Sequence, residues 1–231
     1  MNFSEILKDY PYTTELHAHS FPVSGCGDFS AEEVVEIYKS AGASSLCLTN
    51  HLGPGNADLG AEYYLEDFYK AREAASDALN VILGVEMRFE GSSNDYLVYG
   101  VSEEDIPRFI ELVPHGIENF YKEVKSERNV IIQAHPFRKG VTLAPLDSID
   151  GIESFNIHPG HNSRVGIGAR YAKLKDLLVT GGTDFHHEGH QALCLMRSKE
   201  EMKNSYDVAE EIKSRNVIFD CSGHIVIPYI Y

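Results

Sequence analysis

Two histidines, His17 and His19, stand at i and i+2 in the stretch Thr-Thr-Glu-Leu-His-Ala-His-Ser over residues 13–20. Side chains on a strand alternate faces, so both imidazoles point the same way. Two imidazoles side by side at a strand end form half of a metal site. In a chain with 11 histidines one such pair is a weak signal. Its weight comes from other stretches with metal-competent residues: His51 in Thr-Asn-His, Glu86 in Gly-Val-Glu, His135 in Ala-His-Pro, and Asp184 with His186 in Gly-Thr-Asp-Phe-His. Asp184 and His186 repeat the i, i+2 spacing of the opening pair. Imidazoles mixed with carboxylates suit Zn, Mn or Fe, and suit Mg less well. A catalytic zinc uses about three protein ligands, so this inventory implies two or three divalent ions, with Glu86 or Asp184 able to bridge. Such ions lower the pKa of a bound water to about 7 and make it a nucleophile.

These residues need elements that bring them together. Each follows a short apolar stretch that reads as a strand: 13–20, 45–49, 81–85, 130–134 and 177–181. Further strands are expected at 94–101, 151–155, 192–196 and 217–221. Residues 1–12 read as a lead-in with one helical turn. Ser30-Ala-Glu-Glu33 is a capping-box pattern that opens a helix to about residue 41. Helical patterns follow at 61–79, 107–113, 117–128, 165–174 and 198–215. Strands alternating with helices predict an α/β fold with a parallel sheet covered by helices. In a β/α barrel the C-terminal strand ends converge on one face, where active sites are built. At 231 residues, without repeats or low-complexity linkers, the chain reads as a single domain over 1–231.

Composition narrows the partners. The net charge is −15, which opposes binding to a long nucleic-acid backbone and favours a small substrate. No run of about 18 apolar residues predicts a membrane span. The first ten residues lack the basic start and apolar stretch of a signal peptide. Cys26, Cys47, Cys194 and Cys221 lie far apart in sequence with no Cys-x-x-Cys, as free thiols of a cytoplasmic protein would.

The ordered set His-x-His, Thr-Asn-His, Gly-Val-Glu, Ala-His-Pro and Gly-Thr-Asp-Phe-His, spanning residues 13–187, resembles the PHP (polymerase and histidinol phosphatase) domain family. The resemblance implies a distorted (β/α)7 TIM-like barrel, a trinuclear metal centre and hydrolysis of a small phosphomonoester, as in histidinol-phosphatase-like or nucleotide and metabolite phosphatases. It implies His17, His19, Glu86 and Asp184 at the first metal, with Glu86 bridging to a second that also takes His135. The third would use His51, His186 and a residue of the first loop. Histidinol-phosphatase-like members often carry Cys-Gly-His there, and Cys26-Gly27-Asp28 aligns with it, which puts Asp28 in the histidine's place. Some members add a second-metal histidine after the strand over 95–101, where this chain has Ser102.

Positive side chains should clamp the phosphate. Arg138, three residues after His135, is the first candidate, and Arg164 and His158 follow. His158 is also placed to protonate the leaving group, and Asp184 to act in catalysis. Two other readings stand beside this one. Amidohydrolase-like barrels and TatD-like nucleases also open with His-x-His and close with Asp. Here the histidine two residues after Asp184, the Thr-Asn-His motif and the absence of a lysine at the relevant strand ends favour PHP. A non-catalytic metal-binding scaffold is separated from both by turnover.

Overall fold

The computed structural model describes residues 3–229. The lead-in is a two-turn helix, α1 (Phe3–Asp9), followed by β1 (Tyr12–Ala18). Helix α2 (Ala31–Ser40) starts where the capping box predicts. Glu33 N–H donates to Ser30 Oγ, and Ser30 N–H donates to Glu33 Oε2 at 2.8 Å. Then come β2 (Ser45–Leu48), the two-residue β3 (His51–Leu52), α3 (Gly60–Ala75), β4 (Asn80–Leu83), β5 (Val85–Arg88) and β6 (Asp95–Tyr99). Two short helices, α4 (Ile106–Leu112) and α5 (Gly116–Val124), lead to β7 (Val130–Gln133) and β8 (Gly151–Asn156). Helix α6 (Val165–Lys175) precedes β9 (Leu178–Gly182). The chain then runs through β10 (Cys194–Ser198), α7 (Ser205–Ser214), β11 (Ile218–Cys221) and β12 (His224–Val226).

The strands of the described residues form two six-stranded sheets of mixed direction rather than one parallel sheet. One sheet has the order β12-β11-β10-β1-β2-β4, the other β3-β5-β6-β7-β8-β9. β1, β2 and β4 pair in parallel, as do β3–β5 and β7–β8–β9. β6 is antiparallel to both β5 and β7, and β10–β12 are antiparallel throughout. Connection length accounts for β5–β6: a parallel pair needs a crossover of a dozen or more residues, whereas the link from Arg88 to Asp95 is a short hairpin turn. The predicted helix at 198–215 begins only at Ser205, where Asn204 caps it by accepting from Tyr206 and Asp207 N–H. Among the described residues no helix is long and apolar enough to cross a membrane.

Two features fix the far ends of the chain against β1. Phe185, just past β9, donates its N–H to His17 O and accepts from His19 N–H, both at 3.1 Å. Its ring is fully buried between Phe29 and Tyr38. Below it the buried Glu15 takes Thr183 N–H at 2.9 Å, His17 N–H at 3.0 Å and the Tyr38 hydroxyl at 2.7 Å. Gly182 lies so close to β1 that a Cβ there would stand 2.5 Å from His17 Cβ.

Burial pushes the Glu15 carboxyl up to about 7, against the pull of its hydrogen bonds from Thr183, His17 and Tyr38. An acid whose pKa is raised by folding favours the fold in its protonated form. Its contribution is full below the unfolded value of 4.5 and fades as pH rises to about 7. Linkage makes that difference about 3 kcal/mol. Glu15→Gln should remove this falling arm from the stability of the metal-free protein, read by urea unfolding from about pH 5 to about pH 7.5. A variant that keeps the parent's slope refutes the assignment. Gly182→Ala should cost about 1–3 kcal/mol through overpacking against His17, measured as a lowered Tm.

Candidate metal centre

Residues from both sheets meet at one buried carboxylate. Glu86 sits mid-strand in β5, fully buried, with Cα paired to His51 of β3. Its Oε1 lies 3.3 Å from His17 Nε2 and 3.3 Å from His135 Nε2. Its Oε2 lies 3.2 Å from His19 Nε2 and 3.0 Å from His51 Nδ1. Asp184 Oδ1 completes the group, 3.4 Å from His17 Nε2 and 3.3 Å from His19 Nε2, while His186 turns its Nδ1 to the Asp184 carbonyl at 2.8 Å. His17, His19, Glu86, His135 and Asp184 are all buried, while His51 and His186 are partly open to solvent.

The donors fit metal ions on two counts. His17 Nε2, His19 Nε2 and both Glu86 oxygens are buried without a hydrogen-bond partner, in a fold where buried polar atoms are normally satisfied. The spacing also fits. Donors bound about 2.0–2.1 Å from one ion stand about 2.9–3.4 Å apart at right to tetrahedral angles, and the distances above lie within that span. Three overlapping donor groups result: His17, His19 and Glu86; His51, Glu86 and Asp95; and His19, His51 and His186.

A surrounding layer orients these rings. His17 Nδ1 hydrogen-bonds Glu153 Oε1 at 2.9 Å, which turns Nε2 toward Glu86. His19 Nδ1 meets Ser24 Oγ at 3.1 Å. Glu153 Oε2 also accepts His135 N–H at 3.0 Å and Asn156 Nδ2 at 2.9 Å. His135 and Asp184 both adopt positive φ, 30° and 57°, a costly conformation for residues with a side chain. Neighbouring contacts hold both: Phe185 is tied to β1, and the peptide N–H of His135 is tied to Glu153.

Burial acts against charge on His17, but the carboxylates of Asp184, Glu153 and Glu86 outweigh it and raise its pKa well above the usual imidazole value. Burial would raise Glu86 and Asp184, yet His17 with His51 holds Glu86 well below the carboxylate range. His17, His19 and Arg138 do the same for Asp184. Such a field attracts positive charge of either kind, proton or metal. Burial, then the proximity of His19, pushes His186 down to about 3, so this ring is neutral at pH 7.

The other expected site residues fall differently. The Asp28 carboxylate is not brought to the donor group around Glu86. It is exposed and faces His187 Nδ1 at 2.8 Å, while Cys26 Sγ of the same loop lies 3.1 Å from His186 Nε2. Ser102 caps a short helical turn through Asp105. Because β6 runs antiparallel, its N-terminal end faces the site, and Asp95 stands there with its Oδ2 3.8 Å from His135 Nε2. Arg88, opposite Asp95 in the ladder, grips it with two hydrogen bonds of 2.6 Å. Asp95 and Glu153 were not anticipated. The available signal was a lone acid in an otherwise apolar strand.

Arg138 is committed to the site's frame: its Nη2 donates to Asp184 Oδ2 and, at 2.6 Å, to Asn156 Oδ1. Arg164 Nη1 donates to Phe137 O at 2.8 Å on the exposed rim. His158 is buried and accepts Gly160 N–H on Nδ1 at 3.0 Å, so its Nε2 carries the proton. Burial lowers it to about 4, with Arg138, His161 and His190 adding to the effect against Asp184. It is therefore a neutral donor at pH 7 rather than a charged acid. A cleft of ≈1020 Å³ opens above the donors, and Arg88, Arg138, Lys139 and Arg164 are among its lining residues.

The PHP domain model matches residues 15–222. Among curated proteins none matches the chain in sequence. Several solved structures share the fold at low identity. A two-domain protein from Bacteroides vulgatus ATCC 8482, containing a predicted PHP-like metal-dependent phosphoesterase, aligns at TM-score 0.66 and 16% identity over 90% of this chain. This chain spans 64% of that protein's length. A protein from Bifidobacterium adolescentis ATCC 15703, assigned as a metal-dependent phosphoesterase, aligns at TM-score 0.51 and 18% identity over 87% of this chain and 95% of the other. An amidohydrolase from Chromobacterium violaceum, solved with sulfate and no metal, aligns at TM-score 0.56 and 14% identity over 93% of this chain and 98% of the other. With the family model covering nearly the whole chain, and the fold shared by these structures, the chain belongs to the PHP domain family.

Proposed function

We propose that the protein is a metal-dependent phosphoesterase that hydrolyses a small phosphomonoester. The observation that carries this reading is the set of unpartnered buried donors around Glu86, placed under a cleft lined by four cations in a chain of net charge −15. His17, His19, Glu86 and Asp184 would hold one ion. Glu86 would share a second with His135 and Asp95, and His51 and His186 would serve a third. Zn, Mn or Fe suits these donors better than Mg. Bound there, the ions would supply an activated water and neutralise charge on the phosphoryl oxygens.

The chain's own residues do the rest. Arg138 and Asn156 fix the orientation of Asp184. Lys139 and Arg164 on the rim, with Arg88 deeper, attract the phosphate and hold it. His158 donates its Nε2–H to a phosphoryl or leaving-group oxygen without carrying a charge of its own. The cleft suits a substrate of metabolite or nucleotide size, and the acidic surface disfavours long nucleic acid. The sulfate of the Chromobacterium neighbour is, like a phosphoryl group, a tetrahedral oxyanion.

We read the two sheets as parts of one distorted (β/α)7 barrel. The Ala18–Phe185 bridge joins β1 to the end of β9, and hydrogen bonds from Gly84 to Leu48 and from Glu86 to Asn50 carry the first sheet into the second. The four free thiols accord with the reducing cytoplasm.

The test is phosphate release from a panel of phosphorylated metabolites and one chromogenic phosphomonoester, with Zn, Mn, Fe and Mg added separately. Turnover that is abolished by a chelator and by Asp184→Asn is expected. A metal-loaded protein that is inert to phosphoesters but cleaves amides or lactones would establish amidohydrolase chemistry instead, and one inert to both would be a scaffold. A second expectation concerns Glu153. Glu153→Gln keeps the shape but removes the charge behind His17, and should weaken metal affinity about 10–100-fold in a chelator competition.

A further inference from the structure

The loop between β1 and α2 passes over the open side of the histidine group, and its course is fixed at several points. Ser24 Oγ meets His19 Nδ1 and accepts His51 N–H at 2.8 Å. Asp28 N–H donates to His186 O at 3.0 Å. Asp67 of α3, buried, accepts Ser20 Oγ–H at 2.8 Å and Val23 N–H. Between these anchors stands Cys26. Its Sγ lies 3.1 Å from His186 Nε2.

Three observations make this more than a cysteine beside a histidine. His186 Nδ1 lies 2.8 Å from the carbonyl of Asp184, which puts its proton there and leaves the Nε2 lone pair facing the sulfur. The ring of His19, 1% exposed, lies 4.6 Å from that of His51 and 4.4 Å from that of His186, and its Nε2 has no hydrogen-bond partner. Bond lengths of about 2.3 Å to sulfur and about 2.0–2.1 Å to nitrogen put two ligands of one ion about 3.1–3.6 Å apart, and the Cys26–His186 separation meets that.

We propose that Cys26, rather than Asp28, is the loop's metal ligand, and that with His51 and His186 it forms a thiolate-containing position of the centre. On binding, the Sγ–H bond loses its proton to solvent and the sulfur lone pair bonds the ion. A thiolate is a soft donor, so this position should take Zn, Fe or Co in preference to Mn or Mg. The inference rests on the metal-centre reading above and is independent of which ester is cleaved.

Cobalt(II) alone, titrated into the metal-free chain, separates the possibilities by absorption and by bound-metal analysis. The expected result is a thiolate-to-cobalt charge-transfer band in the near ultraviolet. Cys26→Ala and Cys26→Ser should each lose the band and one equivalent of bound ion, while Asp28→Ala keeps both. Cobalt uptake with ligand-field bands but no charge-transfer band overturns the role of Cys26 and leaves the metal centre standing. A band that survives both Cys26 variants assigns the thiolate elsewhere and overturns it equally. No cobalt uptake at all overturns the metal-centre reading and this inference together.

Discussion

The structure depends on a carboxylate buried without a hydrogen bond of its own. Glu86 is held among His17, His19, His51 and His135, which come from β1 and its end, from β3 and from the end of β7. A charge so placed is costly unless positive charge surrounds it. The four rings are therefore both the site and part of what makes that site tolerable inside the protein. Each ring must face inward, and the two from β1 and its end are turned by groups behind them, Glu153 at His17 and Ser24 at His19. A buried polar network of this kind is sound only when its members are satisfied together, which ties the architecture of the strand ends to the occupancy of the centre.

Much of this was legible in the sequence, for a physical reason. Histidine and acid at the ends of apolar strands are rare enough that five such places, at one face of an α/β fold, point to a metal. What escaped was set by chain direction and by distance. Asp95 is not legible by that rule because it stands at the N-terminal end of its strand, and β6 runs the other way. Glu153 escaped because its partner, His17, is 136 residues distant. In the first loop, alignment favoured Asp28. The backbone bond to His186 O and the pairing with His187 turn that carboxylate away from the donors, while the Cys26 sulfur faces His186. The parallel sheet was half right: the alternation of strand and helix predicts it, but the short β5–β6 and β11–β12 connections need antiparallel pairing, and β10 runs antiparallel to both β1 and β11.

Arg138 illustrates how a site can reassign a residue. Its position after His135 suggests a phosphate clamp, and it does line the cleft. Its guanidinium is nonetheless bonded to Asp184 and Asn156, and Asn156 in turn touches Glu153. The cation thus belongs to a chain of contacts that reaches from the cleft to the back of His17. The freer cations, Lys139 and Arg164, stand nearer the rim.

The contact between β1 and the segment after β9 has a consequence for the order in which the protein assembles. Glu15 and Thr183, 168 residues apart, are hydrogen-bonded, and Phe185 is seated on the same strand. Contacts of such long sequence separation form late, because the loop they close must first be ordered. A nascent or partly folded chain thus holds His17 and His19 without Asp184 and His186. Asp184 and His186 join the other donors only once that contact has formed, so closure of the fold precedes assembly of the full donor set.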